Sequence, residues 1–154
     1  IIIGGTVKSG LIEWLSQQVI HLTGPTKESM FTLTVVMVWF SGIASAIVDN
    51  IPFVATMNPL LVEMCQKVFG ATDPATLQNP VMLPVWWALA LGACLGGNGT
   101  AIGASANVIV VGMSEKAGHK ISFVRFLKYG TPVMFLTVFL SMIYLWLRYY
   151  VLKF

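Results

Sequence analysis

Charge is what this sequence has least of. Asp, Glu, Lys and Arg make up 10% of its 154 residues, where a soluble domain carries about a quarter. Nine Lys+Arg against six Asp+Glu leave a formal charge of +3, and no basic run gathers them, which excludes a nucleic-acid groove. Cysteine is sparse too: Cys65 and Cys94 stand apart in apolar segments without metal-ligand spacing, so both read as small buried hydrophobes rather than a disulfide or redox pair. No Ser/His/Asp, HExxH or paired-carboxylate set can be assembled from residues that share a depth, which argues against an enzyme. "GNGTAIG" (97–103) has the glycines of a phosphate cradle but lacks the Lys-Ser/Thr ending and a preceding strand, so no nucleotide cofactor is implied. A signal peptide is also missing. The opening "IIIGGTVKSG" is too short for a signal core with a cleavage site, and it reads like the last turns of a membrane helix belonging to a larger protein.

Apolar residues are what the chain does have. They reach 56% of the sequence, with a mean hydropathy of +0.81, and place it in the all-α membrane class. Residues 8–24 alternate polar and apolar side chains at helical spacing, with Trp14 suited to the headgroup layer; they predict an amphipathic helix at the interface, ended by Gly24-Pro25. Within 30–66, the first arm can span. The second, from Ile51, is only about 15 residues, or roughly 22 Å of helix. The polar "DNIP" between the arms therefore predicts a re-entrant hairpin whose tip sits at membrane depth. Residues 83–114 run about 48 Å if helical throughout, too long for one upright span and too short for two. "GGNGT" (96–100) divides them, predicting one broken transmembrane helix. A last span is expected over 126–147. Lys116, Lys120, Arg125 and Lys128 cluster around the loop before it, whereas the 67–82 loop carries only Lys67. The charge bias puts 115–125 in the cytoplasm and the hairpin opening outward.

Both polar interruptions are expected near the midplane. A broken helix exposes unpaired N–H groups on one half and unpaired C=O groups on the other, which favour anions and cations respectively. Gly99 and its neighbouring glycines permit the unusual backbone. Ser45, Asn50, Asn98, Thr100, Ser105 and Asn107 add neutral donors and acceptors. Against this stands a packing reading, because Gly92, Gly96, Gly99 and Gly103 also have small-xxx-small spacing. Asp49 is the costliest residue. An Asp at a membrane helix centre costs about 2.5–3.5 kcal/mol on insertion scales and is functional by default. Burial should disfavour its charged form unless a cation or hairpin N–H groups compensate.

"SAIVDNIPFVATMNPLL" (45–61), followed by "LGACLGGNGTAIGASANVIVVGMSEKAG" (91–118), resembles the ion-transporter superfamily of arsenite efflux permeases, NhaD-type sodium–proton antiporters and the melanosomal P protein. Dicarboxylate–sodium symporters are more distant members. The resemblance covers nearly the whole chain and is strongest to the P-protein-like members. It implies that the chain is the C-terminal repeat of two inverted repeats, each with a re-entrant hairpin and a broken helix. Ser45, Asp49 and Asn50 then stand at the tip, and Asn98, Gly99 and Thr100 at the break. The tip reads "DNIP" rather than the symporters' Ser-Asn-Thr, which points away from a dicarboxylate. The implied partners are the lipid bilayer, the N-terminal half of the same transporter, and a second copy through a scaffold domain. The implied localisation is a multi-pass protein of a plasma, inner or organelle membrane. The function expected is secondary transport of a small inorganic ion coupled to Na+ or H+, with Asp49, Asn50, Asn98 and Thr100 as a Na+ set and no other cofactor. The alternatives are a non-transporting membrane module, or an arsenite or carboxylate transporter.

Overall fold

A computed structural model of the chain describes residues 30–69 and 80–152, and among them there is no strand. The expected interfacial helix at 8–24 and most of the 67–82 loop lie outside the described residues. Five α-helices follow: α1 (Met30–Ile47), α2 (Asn50–Phe69), α3 (Leu83–Gly96), α4 (Ser105–Lys116) and α5 (Phe123–Leu145). A 3₁₀ turn, Gly97–Gly99, extends α3, and a π turn, Trp146–Val151, extends α5. The fold is all-α. Two helices are long and apolar enough to cross a membrane, Met30–Ile47 and Phe123–Val151.

Local chemistry sets the ends of these helices. Pro52 sits in the first turn of α2 and Pro84 in that of α3, where a missing N–H leaves one orphan donor fewer. Pro59 lies inside α2 and has no N–H to give the carbonyl of Ala55 one turn back. Gly118 follows α4 at φ +85°, a left-handed position that glycine adopts without a Cβ penalty. Its N–H donates to the Glu115 carbonyl at 3.0 Å and that of His119 to the Ser114 carbonyl at 2.9 Å, closing the helix end. Ser122 then opens α5, its hydroxyl accepting the Arg125 N–H at 3.3 Å.

The core is built on α1 crossing α3. A Cβ on Gly92 would stand 2.6 Å from the Val38 carbonyl oxygen, and one on Gly96 would fall on the Gly42 backbone. The two backbones therefore touch. Val38 and Leu33 of α1, Leu60 and Met64 of α2, Val85 and Leu89 of α3, and Val138 of α5 are buried around this crossing. The glycine spacing thus serves packing at 92 and 96. Cys65 is buried but Cys94 is exposed, which corrects the expectation for the second cysteine: it faces a cavity against α2 instead of the core. None of the residues of α4 is buried, and Val108, Ile109, Val110 and Met113 are more than half exposed. The outer face of α5, with Leu136 and Leu140 more than half exposed, is apolar as well.

The crossing yields a test by substitution. Gly96→Ala in the full-length protein should cost about 1–3 kcal/mol or more, because the two backbones must separate. Gly112, in the exposed helix α4, has open space around its Cβ position, and Gly112→Ala should stabilise by up to about 1 kcal/mol. Thermal unfolding of the two variants in one detergent measures the contrast.

Candidate functional site

Asp49 is the hinge point of the site. It lies between α1 and α2 and acts as the cap of α2: its Oδ1 accepts the Ile51 N–H at 3.2 Å, and its own carbonyl accepts the Phe53 N–H at 3.2 Å. A carboxylate at this place satisfies an orphan donor and faces the positive end of the helix dipole. Its other oxygen reaches much further along the chain. Oδ2 accepts the Ser105 N–H at 3.1 Å and also the Ser105 hydroxyl. Ser105 is the first residue of α4, whose capping residue, Ala104, makes no side-chain cap bond. Asp49 therefore caps two helices, its own and one that begins 56 residues later. Asp49 is only partly buried, which corrects the expectation of a fully buried carboxylate, and the N–H groups named as a compensation for its charge are present. No Lys or Arg among the described residues forms an ion pair with it.

The break after α3 is pinned by side chains. Asn107 Nδ2 donates to the carbonyls of Gly97 at 2.9 Å and Thr100 at 3.0 Å. Thr131, from α5, donates to the Gly99 carbonyl at 3.2 Å. The Thr100 hydroxyl donates to the Ala46 carbonyl at the end of α1 and accepts the Gly103 N–H at 2.9 Å. A Cβ on Gly103 would meet the carbonyl oxygens of Gly97, Ala46 and Ser45 at 2.7–3.0 Å, so the return of the chain past the end of α1 requires glycine there. Ser45 is fully buried and donates to the Ala93 carbonyl at 2.7 Å. The Thr100, Thr131 and Ser45 bonds to Ala46, Gly99 and Ala93 cross between the hairpin arm, the broken helix and α5, while the Asn107 bonds close the break on itself. Together they fix the tip against the break.

The sequence-predicted residues therefore divide into two groups. Asp49 and Ser105 touch, Thr100 holds the end of α1, and Asn107 clamps the break, while Ser45 and the buried Gly99 serve the packing beneath them. Asn50 and Asn98 are not brought together by either network. Asn50 lines a cavity of about 360 Å³ with Asn58 and Cys94, and Asn98 lines another of about 840 Å³. Thr131 and Asn58 were not signalled by sequence patterning. Thr131 lies in an ordinary apolar span and Asn58 in the second hairpin arm; only their neighbours in space mark them.

Comparison with known proteins adds the following. The family model described as citrate transporter (CitMHS) matches residues 1–153. A protein of Mycobacterium tuberculosis named as an uncharacterized transporter is 43% identical over 152 residues, covering 99% of this chain and 33% of its own length. The 46 kDa membrane protein of Mycobacterium leprae is 41% identical over 154 residues, again 99% of this chain and 33% of its own. The P protein of Mus musculus is 44% identical over 137 residues, 88% of this chain and 16% of its own. The chain thus spans about a third of the mycobacterial relatives and less of the P proteins. No solved structure matches it.

Asn107 offers the sharpest test of how the break is held. Asn107→Ala takes a donor from the Gly97 and Thr100 carbonyls, of which the second keeps the Gly103 N–H at 3.3 Å, and should lower the stability of the full-length protein by about 1–3 kcal/mol. Asn107→Asp should lower it further at neutral pH, because a carboxylate donates nothing and opposes both oxygens. Chemical denaturation of the two variants, with amide exchange at residues 97–107, reads the effect.

Proposed function

The chain belongs to the citrate transporter (CitMHS) family, and from that premise we propose that it forms the coupling half of a secondary transporter for a small ion driven by Na+ or H+. As a member of that family it is part of an integral membrane transporter and not an enzyme. On this reading α1 and α2 form the re-entrant hairpin, with Asp49 at its tip, and α3 and α4 are the two halves of the broken helix.

The observation that carries the reading is the double cap. When ionised, Asp49 holds the starts of α2 and α4 together through Ile51 and Ser105. A proton arriving on Oδ2 removes the charge that those donors and the two helix dipoles stabilise, and weakens the link. A Na+ ion sharing the carboxylate competes with the same donors. Occupancy by either ion is thereby converted into a change in how firmly tip and break are joined, which is what coupling requires. Asn50 and Asn98 flank the link from separate cavities and supply neutral ligands on each approach. Thr100 and Asn107 keep the break rigid while the link changes. A carboxylate occupying the convergence of two helix N-termini also disfavours a permanently bound anion there, which supports a small ion over a dicarboxylate at the tip itself. The family description favours a second reading, a polycarboxylate as the transported species.

Reconstitution tests the proposal. In the full-length protein, Asp49→Asn keeps the side-chain shape and should insert normally, yet abolish the dependence of ion flux on pH or Na+. Glu63→Gln, in the outer part of α2, should leave flux within about twofold of wild type. An Asp49→Asn variant with unchanged rate and pH profile would make the carboxylate purely structural.

A further inference from the structure

The far end of α5 carries groups that the coupling reading leaves unused. With the π turn that extends it, this helix runs from Phe123 to Val151 and is long and apolar enough to cross a membrane. At its C-terminal end stand Tyr144, Trp146, Arg148, Tyr149 and Tyr150. Aromatic rings and a long cationic side chain suit a helix end at the headgroup layer, and the carbonyl end of a helix favours positive charge. Here the rings and the cation are also fixed to one another.

The arrangement is anchored from α1. Thr34 is buried and its hydroxyl donates to the Met30 carbonyl at 2.7 Å. That proton is spent, so in the 3.0 Å contact between Thr34 and Tyr150 the phenol is the donor. Phe31 packs edge-on against the Tyr150 ring, with centroids 5.0 Å apart. These contacts hold the π turn against α1, and such turns recur at functional sites. Arg148 is held in its turn. Its Nη1 donates to the Tyr144 phenol oxygen at 2.6 Å, and its guanidinium carbon lies 5.9 Å from the Tyr144 ring centroid and 5.6 Å from that of Tyr149, within cation–π range. Arg148 is nonetheless exposed and forms no ion pair among the described residues. The balance of donors is one-sided. Most of the guanidinium N–H groups stay available, and the Tyr144 phenol, which accepts from Arg148, keeps its own O–H to give.

We propose that Arg148 and Tyr144 form a binding site for the phosphate of an anionic phospholipid. The guanidinium fork faces the phosphate oxygens, and the Tyr144 O–H adds a third donor. The neighbouring Leu147, Val151 and Leu152 are exposed and apolar, which suits acyl chains and favours a lipid over a free phosphate. A cation without an acidic partner favours a headgroup that brings no positive charge of its own. Occupied, the site fixes the end of α5 in the headgroup layer and, through Tyr150 and Thr34, the start of α1 with it. The proposal needs α5 to cross a bilayer and is independent of how Asp49 couples ions.

Lipid binding tests it without reference to transport. Full-length protein is purified in a neutral detergent, and its melting temperature is followed against phosphatidylglycerol, phosphatidylcholine, dioleoylglycerol and soluble glycerol phosphate. Phosphatidylglycerol should raise the melting temperature by several degrees more than phosphatidylcholine, and the other two should leave it within about one degree. Arg148→Gln should weaken the apparent phosphatidylglycerol affinity on the order of tenfold, and Arg148→Lys should recover part of it. Tyr144→Phe keeps the ring but loses the O–H, and should cost roughly threefold to fivefold. The readout is the preference between two lipids, which a general loss of stability does not move. Arg125→Gln, at the other end of α5, removes the same charge and should keep the preference. Any of four results overturns the site: equal responses to the two phospholipids in wild type, an unchanged preference in Arg148→Gln, an equal loss in Arg125→Gln, or glycerol phosphate matching phosphatidylglycerol, which would make this a site for free phosphate.

Discussion

The Asp49 carboxylate takes donors from Ile51 at the start of α2 and from Ser105 at the start of α4. In a chain with so few charges, placing one at the point where two helices begin offsets its desolvation with N–H groups that would otherwise lack partners. The same placement joins two segments distant in sequence. α4 buries none of its own residues, and its start is tied to the rest of the described residues by this carboxylate and by Asn107 behind it. Removing the charge thus acts on the position of a whole helix half and not on one side chain alone.

Around this link the structure is deliberately stiff. The α1–α3 crossing brings backbones into contact at Gly42, Gly92 and Gly96, and the carbonyls freed by the break are taken up by Asn107 and Thr131. The break is therefore not a row of unsatisfied carbonyls awaiting a cation. The Thr100 carbonyl accepts from both Asn107 and the Gly103 N–H. On the proposed coupling, one titratable joint in packed surroundings is the element that ion occupancy would switch.

Much of this was legible in the sequence, and what was not has a common cause. The apolar run before "DNIP" gave α1, "GGNGT" gave the end of α3, and the quoted motifs resembled a superfamily that the family match and the P protein relatives bear out. Asp49 was singled out because a carboxylate in an apolar run is costly. Ser105 was named as well, but nothing in one-dimensional spacing says that it meets Asp49 across 56 residues, or that Thr131 in an unremarkable span reaches the Gly99 carbonyl. The glycines were ambiguous for the same reason. Gly92 and Gly96 turned out to serve helix contact, while Gly103 admits the chain past the end of α1. Cys94, read as buried from its apolar neighbours, faces a cavity because burial depends on which side of α3 is covered.

The central claim is that Asp49 acts through Ser105, and a double-mutant cycle on ion uptake by the reconstituted full-length protein tests it most directly. Asp49→Asn, Ser105→Ala and the double variant are compared by initial rate across pH. If the carboxylate works by holding the start of α4, the double variant should behave like Asp49→Asn alone, because the hydroxyl has no charge left to bind. Losses that simply multiply, as for two independent sites, would contradict the account.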